Sequence, residues 1–186
     1  ADTLQHHPPY TIIITGGSMG VGGILKWVQE LSPGGKILYK ILCGRNEKLY
    51  SYVKSLHHPL IEAIPYLHSK AEMNRLYEQA TGIMTKPGGV TISECLQKRL
   101  PVFIYHALPG QEEMNLNLLH ERKLVTDMRN WDMQKAEEYI AAFFQSNEQM
   151  KEYKKHVNGY LGEMSDRKIK DVLKRIIWKQ KNTLLK

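Results

Sequence analysis

The segment 86–91, KPGGVT, carries the first side chains whose types and spacing suit ligand chemistry. Gly88 and Gly89 let a ligand approach the backbone, and Thr91 supplies a hydroxyl group in the first turn of a predicted helix. Glu94 lies three residues later on the same helix face, where its carboxylate can accept hydrogen bonds from both hydroxyls of a ribose. The segment predicts a nucleotide site. The alternative is an ordinary helix start with a stabilising acid.

The segment 109–115, PGQEEMN, follows the next predicted strand and also begins a helix. The amide of Gln111 can donate to and accept from sugar hydroxyls, and the carboxylate of Glu112 can accept from them. This pair predicts a hexose site. A solvated helix start without a function also favours Glu at these positions, and this alternative remains open.

A third candidate is the glycine-rich segment 16–23, GGSMGVGG, between a predicted buried strand and a helix. Backbone amides in such a loop can bind phosphate. The segment lacks the Lys and Ser/Thr of a P-loop, and Leu25 stands where a dinucleotide-binding loop needs its third glycine. It therefore argues against NAD and ATP, and a tight turn that serves only helix–strand packing is the alternative.

Strand-like and helix-like patterns alternate along the chain. The alternation predicts an α/β fold with a Rossmann-like, doubly wound parallel sheet, in which all three loops lie at the edge where the strands end. We expect this domain to span residues 10–160, after a linker or boundary segment at 1–9, and to be followed by a basic amphipathic helix at 161–186. Helices are expected to finish the chain at 133–144, 147–158 and 166–182.

The net charge of +7 comes entirely from the C-terminal part of the chain. Residues 1–150 hold 15 basic and 15 acidic side chains, whereas residues 151–186 hold 11 and 4. A nucleic-acid surface would place cations across the fold, so we expect no nucleic-acid partner. Apolar residues repeat at helical spacing in the tail, which predicts either a helix docked on the fold or contact of residues 165–186 with an anionic membrane.

Cys43 and Cys95 are the only cysteines and form no C-x-x-C motif, so we expect both to be reduced thiols in the core. The sequence has no signal peptide and no apolar run near the ~20 residues of a membrane span. It therefore predicts a cytoplasmic protein, peripheral at the inner face of the cell membrane if the tail binds lipid.

Three motifs in fixed order, TKPGG-x-T-x-x-E, LPV-x-x-Y and PGQE-x-x-N, resemble those of one group of enzymes. The pattern resembles the donor domain of the processive diacylglycerol glucosyltransferases and the monogalactosyldiacylglycerol synthases over about residues 10–160. It is more distantly similar to the N-acetylglucosaminyltransferase of peptidoglycan synthesis, which shares the TGGS loop and the G-x-x-T-x-x-E element but not PGQE. The resemblance implies the C-terminal domain of the GT-B fold and a UDP-sugar ligand.

The resemblance also implies roles for individual residues. Glu94 is expected to bind the ribose, Gln111 and Glu112 the hexose, and Asn115 the phosphate or the sugar. Backbone groups near Tyr66 and Leu67 are expected to meet the uracil. The diphosphate is assigned to Gly17, Ser18, Gly88, Gly89 and Thr91.

Two further residues at strand ends are candidates for the same site. His106 directly precedes the second ligand segment, where it could touch a sugar or a phosphate, and Arg45 follows another strand, where it could reach the ligand or a second domain. No cysteine or acid pair stands at metal-ligand spacing from His106.

The implied reaction is an inverting, metal-independent transfer of a hexose to a lipid acceptor such as diacylglycerol. No cofactor is expected, and the absence of a D-x-D motif agrees with metal independence. The resemblance places the general base in an N-terminal acceptor domain, in cis or in trans, so the catalytic residues are unknown and this chain alone should bind donor but barely turn over. A stand-alone donor-binding subunit, a UDP-GlcNAc transferase of the peptidoglycan type and a nucleotide-sugar sensor are the alternatives.

Overall fold

A six-stranded, entirely parallel sheet forms the centre of the protein. The computed structural model describes residues 7–16 and 23–183, without the side chains of 133 and 168–183. The spatial order of the strands is β3-β2-β1-β4-β5-β6. Their bounds are Tyr10–Thr15 (β1), Ile37–Leu42 (β2), Ile61–Ile64 (β3), Gly82–Thr85 (β4), Val102–Ile104 (β5) and Thr126–Asp127 (β6).

Seven helices and one 3-10 turn, Met133–Lys135, connect and cover the sheet in the described part of the chain. The helices are Ile24–Glu30 (α1), Glu47–Ser55 (α2), Lys70–Gln79 (α3), Gly89–Gln97 (α4), Gln111–Glu121 (α5), Ala136–Gln145 (α6) and Asn147–Thr183 (α7). Buried residues of α1, α2 and α6 pack on one face of the sheet, and those of α3, α4, α5 and α7 pack on the other. The predicted doubly wound α/β fold is therefore confirmed.

Strand β1 illustrates why the sheet is covered on both faces. Ile12 and Ile14 belong to one core cluster, whereas Ile13 belongs to the other, and all three side chains are fully buried. Successive side chains of a strand point to opposite faces, so a continuous apolar run is what a doubly covered parallel strand requires.

The structure corrects two predicted elements. The pattern KLVTDM at 123–128 predicts a last strand, but only the two residues of β6 pair with β5, whereas Leu124 and Val125 before them are buried in the core. The helices expected at 147–158 and 166–182 are one continuous helix, α7, although it contains Gly159 and Gly162. The buried side chains of Tyr153 and Val157 anchor α7 on the sheet, and this packing outweighs the helix-breaking tendency of the two glycines.

A buried carboxylate joins α6 to the start of β2. Glu137 accepts hydrogen bonds from the amides of Gly34 at 2.8 Å and Lys36 at 2.6 Å, and from the Tyr39 hydroxyl at 3.4 Å. Three donors compensate the loss of hydration of this side chain. The sequence gives no sign of this connection, because the partners are about a hundred positions apart.

Both cysteines lie in the core as free, buried thiols, as expected. Burial raises the pKa of Cys43 to about 11 and that of Cys95 to about 12, so neither thiol ionises at neutral pH. Across the part of the chain that the structure describes, no helix has both the length and the apolar content needed to cross a membrane.

Candidate ligand-binding site at the carboxyl edge of the sheet

A cavity of about 240 Å³ opens at the carboxyl edge, the side of the sheet on which all six strands end. Strands β1 and β4 are neighbours there, and the chain leaves them in opposite directions across the sheet. Such a crossover creates a crevice in which α/β proteins bind ligands. The cavity is lined by Thr15, Leu42, Gly44, Tyr66, Leu67, Met73, Tyr77, Thr91 and Glu94.

Four of the predicted site residues share this cavity: Tyr66 and Leu67 from the loop before α3, and Thr91 and Glu94 from α4. The loop before α3 ends in a capping box, in which the Glu72 amide donates to Ser69 Oγ at 3.1 Å and the Ser69 amide donates to Glu72 Oε2 at 3.1 Å. The capping box fixes where the helix begins. It therefore also limits the positions open to Tyr66 and Leu67.

Tyr77 orients the carboxylate of Glu94. Its hydroxyl donates to Glu94 Oε2 at 3.3 Å, across the gap between α3 and α4. Burial raises the pKa of Tyr77, and Cys95 and Glu94 raise it further, so the phenol keeps its proton and remains a donor at neutral pH. Tyr77 was not predicted from the sequence as a site residue.

The start of α4 has the features of an anion site. Gly88 is the N-cap residue and provides no side-chain cap, and its own amide donates to the Lys86 carbonyl at 2.8 Å in a tight turn. A Cβ atom added to Gly88 or Gly89 would meet no atom within 4 Å, so the two glycines leave open space in front of the helix. The N–H groups of a first helical turn and the helix dipole favour a negatively charged group in such a space.

Glu112, the predicted hexose ligand, is held by two donors from different segments. Lys86 Nζ lies 3.0 Å from Glu112 Oε1, and the Leu108 amide donates to Oε2 at 2.8 Å. Partial burial raises the pKa of Glu112, but the Leu108 amide and the Lys86 ammonium together outweigh burial and lower it below its usual range. Glu112 is therefore an ionised acceptor at neutral pH.

The second ligand segment is tied to the first. Asn115 Nδ2 donates to the Pro87 carbonyl at 3.2 Å, so α5 and the loop before α4 are joined directly. Gln111 is exposed at the first position of α5, after Gly110, whose φ of 95° suits a glycine. Neither Gln111 nor Asn115 lines the 240 Å³ cavity, so the predicted hexose residues form a separate group beside it.

His106 and Arg45 also lie near the site. A Cβ atom on Gly23 would stand 3.7 Å from His106 Cγ, which places His106 beside the end of the first glycine segment. The Arg45 guanidinium stacks over the Tyr66 ring at 4.8 Å from its centroid and so reaches the cavity through Tyr66. The predicted residues Gly17 and Ser18 lie outside the described part of the chain.

Lys86 was also missed as a site residue. It directly follows β4, in a segment whose two glycines predict a site made of backbone groups. Its partner Glu112 lies 26 positions later, a separation that no local pattern can detect.

Comparison with known proteins agrees with the motif-based resemblance. No protein-family model matches the chain. A processive diacylglycerol beta-glucosyltransferase from Bacillus cereus (strain B4264) is 30% identical over 113 residues, or 60% of this chain. That match covers 29% of the relative, so the chain spans less than a third of its length.

Solved structures show the same fold. MurG from Acinetobacter baumannii superposes with a TM-score of 0.60 and 14% identity, over 84% of this chain and 48% of that one. The UDP-GlcNAc 2-epimerase from Neisseria meningitidis, bound to UDP-GlcNAc, gives a TM-score of 0.56 and 16% identity, over 83% and 40%. The chain thus resembles the processive diacylglycerol glucosyltransferases in sequence and has the Rossmann-like fold of one domain of GT-B glycosyltransferases.

Proposed function

We propose that this chain is the donor-binding domain of an inverting glycosyltransferase that uses a UDP-hexose and a lipid acceptor such as diacylglycerol. The cavity at the carboxyl edge is the observation that carries the proposal. It brings an aromatic side chain from the loop before α3 together with a hydroxyl group and a carboxylate from α4, next to the uncapped start of that helix.

The proposal assigns the nucleotide half of the donor to this cavity and to the helix start beside it. The backbone near Tyr66 and Leu67 would meet the uracil, and Glu94, oriented by Tyr77, would accept hydrogen bonds from the ribose hydroxyls. The diphosphate would lie against the start of α4, where Gly88 and Gly89 leave open space and Thr91 offers a hydroxyl group.

The hexose half would meet Gln111, Glu112 and Asn115 at the start of α5. A carboxylate with two oxygens can accept several hydrogen bonds, so Glu112 can serve sugar hydroxyls while it is bonded to Lys86 and Leu108. The link from Asn115 to Pro87 keeps this group close to the diphosphate position.

In the proposed reaction, the acceptor hydroxyl oxygen attacks the anomeric carbon from the face opposite UDP. The bond from this carbon to the diphosphate oxygen breaks, and its electron pair leaves with UDP. A general base on the acceptor domain, in cis or in trans, takes the hydroxyl proton. The α4 N-terminus stabilises the charge on the departing diphosphate, a role that the proposal assigns to backbone amides rather than to a metal ion.

The lipid acceptor rests on the sequence likeness to a diacylglycerol glucosyltransferase and on the basic tail. The chain covers 29% of that relative, so the acceptor domain is part of the proposal. Residues 165–186 are proposed to bring the enzyme to an anionic membrane surface as a peripheral protein. Most of their side chains lie outside the described set.

A transferase for UDP-GlcNAc is the second candidate, because the same fold holds UDP-GlcNAc in the Neisseria meningitidis epimerase. Calorimetric titration with UDP, UDP-glucose, UDP-galactose and UDP-GlcNAc separates the two functions. Binding of UDP and of a UDP-hexose supports the first proposal, and preference for UDP-GlcNAc supports the second. If the folded chain binds none of the four at millimolar concentration, both are wrong.

A further inference from the structure

We infer that Lys86 is a positioning residue, which holds the Glu112 carboxylate in the orientation that the sugar half of the donor requires. This inference rests on the proposed donor function. In this inference Lys86 does not touch the ligand, and it affects ligand binding only by orienting Glu112.

The ion pair between Lys86 and Glu112 is partly shielded from solvent. The exposed fractions of the two side chains are 15% and 24%, compared with 63% and 51% for Lys123 and Glu152, a pair at the surface. Exposed ion pairs contribute little to the stability of the folded protein, because water screens the charges and the side chains stay mobile. The shielded Lys86 ammonium can instead fix the position of its partner.

The bonds to Glu112 define the plane of its carboxylate. One oxygen accepts from Lys86 Nζ and the other from the Leu108 amide, at 3.0 and 2.8 Å. Each oxygen keeps a further lone pair, so both can still accept from hydroxyl groups of a ligand. Loss of the Lys86 bond would leave the carboxylate held on one side only.

Lys86 also compensates the charge of Glu112. An unpaired carboxylate beside the proposed diphosphate position would repel the ligand. The Lys86 side chain crosses from the end of β4 to the start of α5, and thus connects the segment assigned to the nucleotide with the one assigned to the hexose.

The test compares the Kd values of UDP and of a UDP-hexose in variants of the whole chain, measured by calorimetry. The hexose is glucose or galactose, whichever the unaltered protein binds as its UDP derivative. Lys86→Met is expected to raise the ratio of the UDP-hexose Kd to the UDP Kd by about tenfold, the loss typical of one hydrogen bond to a charged group. Lys86→Arg keeps a cationic donor and is expected to restore most of the ratio.

A double-mutant cycle distinguishes positioning from direct contact. If Lys86 acts through Glu112, adding Lys86→Met to the Glu112→Gln variant should change the Kd ratio by no more than about twofold. Lys98→Met is the matched control, because Lys98 forms an ion pair with Glu78 at the other end of α4. This control should leave the ratio unchanged.

Two results would overturn the inference and leave the proposed function intact. One is a Kd ratio in Lys86→Met equal to that of the unaltered protein. The other is that Lys86→Met raises the ratio by the same factor in the unaltered protein and in the Glu112→Gln variant. If the unaltered protein binds neither UDP nor a UDP-hexose, the proposed function fails and the inference fails with it. Lys86→Gln, which retains a neutral donor, replaces Lys86→Met if the methionine variant does not fold. It is then expected to raise the same ratio.

Discussion

Two carboxylates at the carboxyl edge of the sheet are held in different ways. Glu94 accepts a hydrogen bond from the neutral phenol of Tyr77, whereas Glu112 accepts from a cation and from a backbone amide. Glu94 lines the cavity and Glu112 lies beside it. This separation predicts that the two halves of a nucleotide sugar are read by different side chains.

Substitutions at the two positions should therefore affect ligands differently. Glu94→Ala is expected to weaken UDP and UDP-hexose alike, by about tenfold, because the ribose belongs to both ligands. Gln111→Ala is expected to weaken the UDP-hexose and leave UDP unchanged. Calorimetry of both variants with both ligands measures the difference. Equal losses for both ligands in both variants would refute this assignment.

At the scale of the elements, an ion-pair network connects α5 to the end of β6. The Arg129 guanidinium donates to Asp127 at 2.8 Å and to Glu113 at 3.0 Å. Partial burial raises the pKa of Asp127, but its hydrogen bonds from Arg129 and the charge of Arg129 outweigh burial and lower it. The ionised carboxylate therefore contributes stability that depends on pH.

The sign of this contribution is fixed by the direction of the shift. Since the pKa of Asp127 is lower in the folded than in the unfolded protein, its stabilisation is fully present above the unfolded value of about 3.9 and is lost as pH falls through the folded value. Asp127→Asn is expected to lower the free energy of unfolding by about 1–2 kcal/mol at pH 7 and by less below pH ~3. Urea unfolding of the unaltered protein and of Asp127→Asn, measured from pH 7 to below pH ~3, checks this prediction. A difference that does not change with pH would contradict the assignment.

A glycine inside α7 can be replaced to test how backbone entropy affects stability. Gly159 lies inside the helix, is exposed, and a Cβ atom there would meet nothing within 4 Å. Gly159→Ala is therefore expected to raise the free energy of unfolding by about 0.5–1 kcal/mol, because alanine loses less backbone entropy on folding.

Gly35 provides the matched control for this substitution. It has the same open space around a Cβ atom but a φ of 98°, which alanine adopts only with strain. Gly35→Ala should lower the stability that Gly159→Ala raises. Urea unfolding measures the free energy of unfolding of both variants. If the two substitutions change it in the same direction, the explanation by backbone conformation is wrong.

Features that depend on neighbouring residues, such as strand β1, could be predicted from the sequence. The run YTIIIT predicts β1 because a doubly covered strand is apolar on both sides, and the spacing of Thr91 and Glu94 places them on one helix face. The bonds from Lys86 to Glu112 and from Tyr77 to Glu94 join residues 26 and 17 positions apart. Such contacts depend on the order of strands in the sheet, which local spacing does not encode.

At the scale of the whole molecule, the charge is divided between a neutral body and a basic tail. Residues 151–186 hold 11 basic and 4 acidic side chains, and each cation near an anionic bilayer contributes about 1 kcal/mol. Removal of residues 165–186 keeps Tyr153 and Val157, which anchor α7 on the sheet.

Flotation with anionic vesicles tests the proposed membrane contact. The full chain should float with vesicles that contain phosphatidylserine, and the chain that ends at residue 164 should stay in the lower fraction. Neutral vesicles serve as the control and should carry neither protein. Equal flotation of the two chains, or none, contradicts a role of the tail in membrane binding.

The central claim is that the carboxyl edge binds a nucleotide sugar, and amide-resolved NMR titration tests it most directly. UDP should shift the amide signals of residues 66–67 and 88–94, and a UDP-hexose should in addition shift those of residues 111–115. The contradicting result is an absence of shifts at millimolar ligand, or shifts confined to the groove between β6 and α7 that is lined by His120, Trp131 and Tyr153.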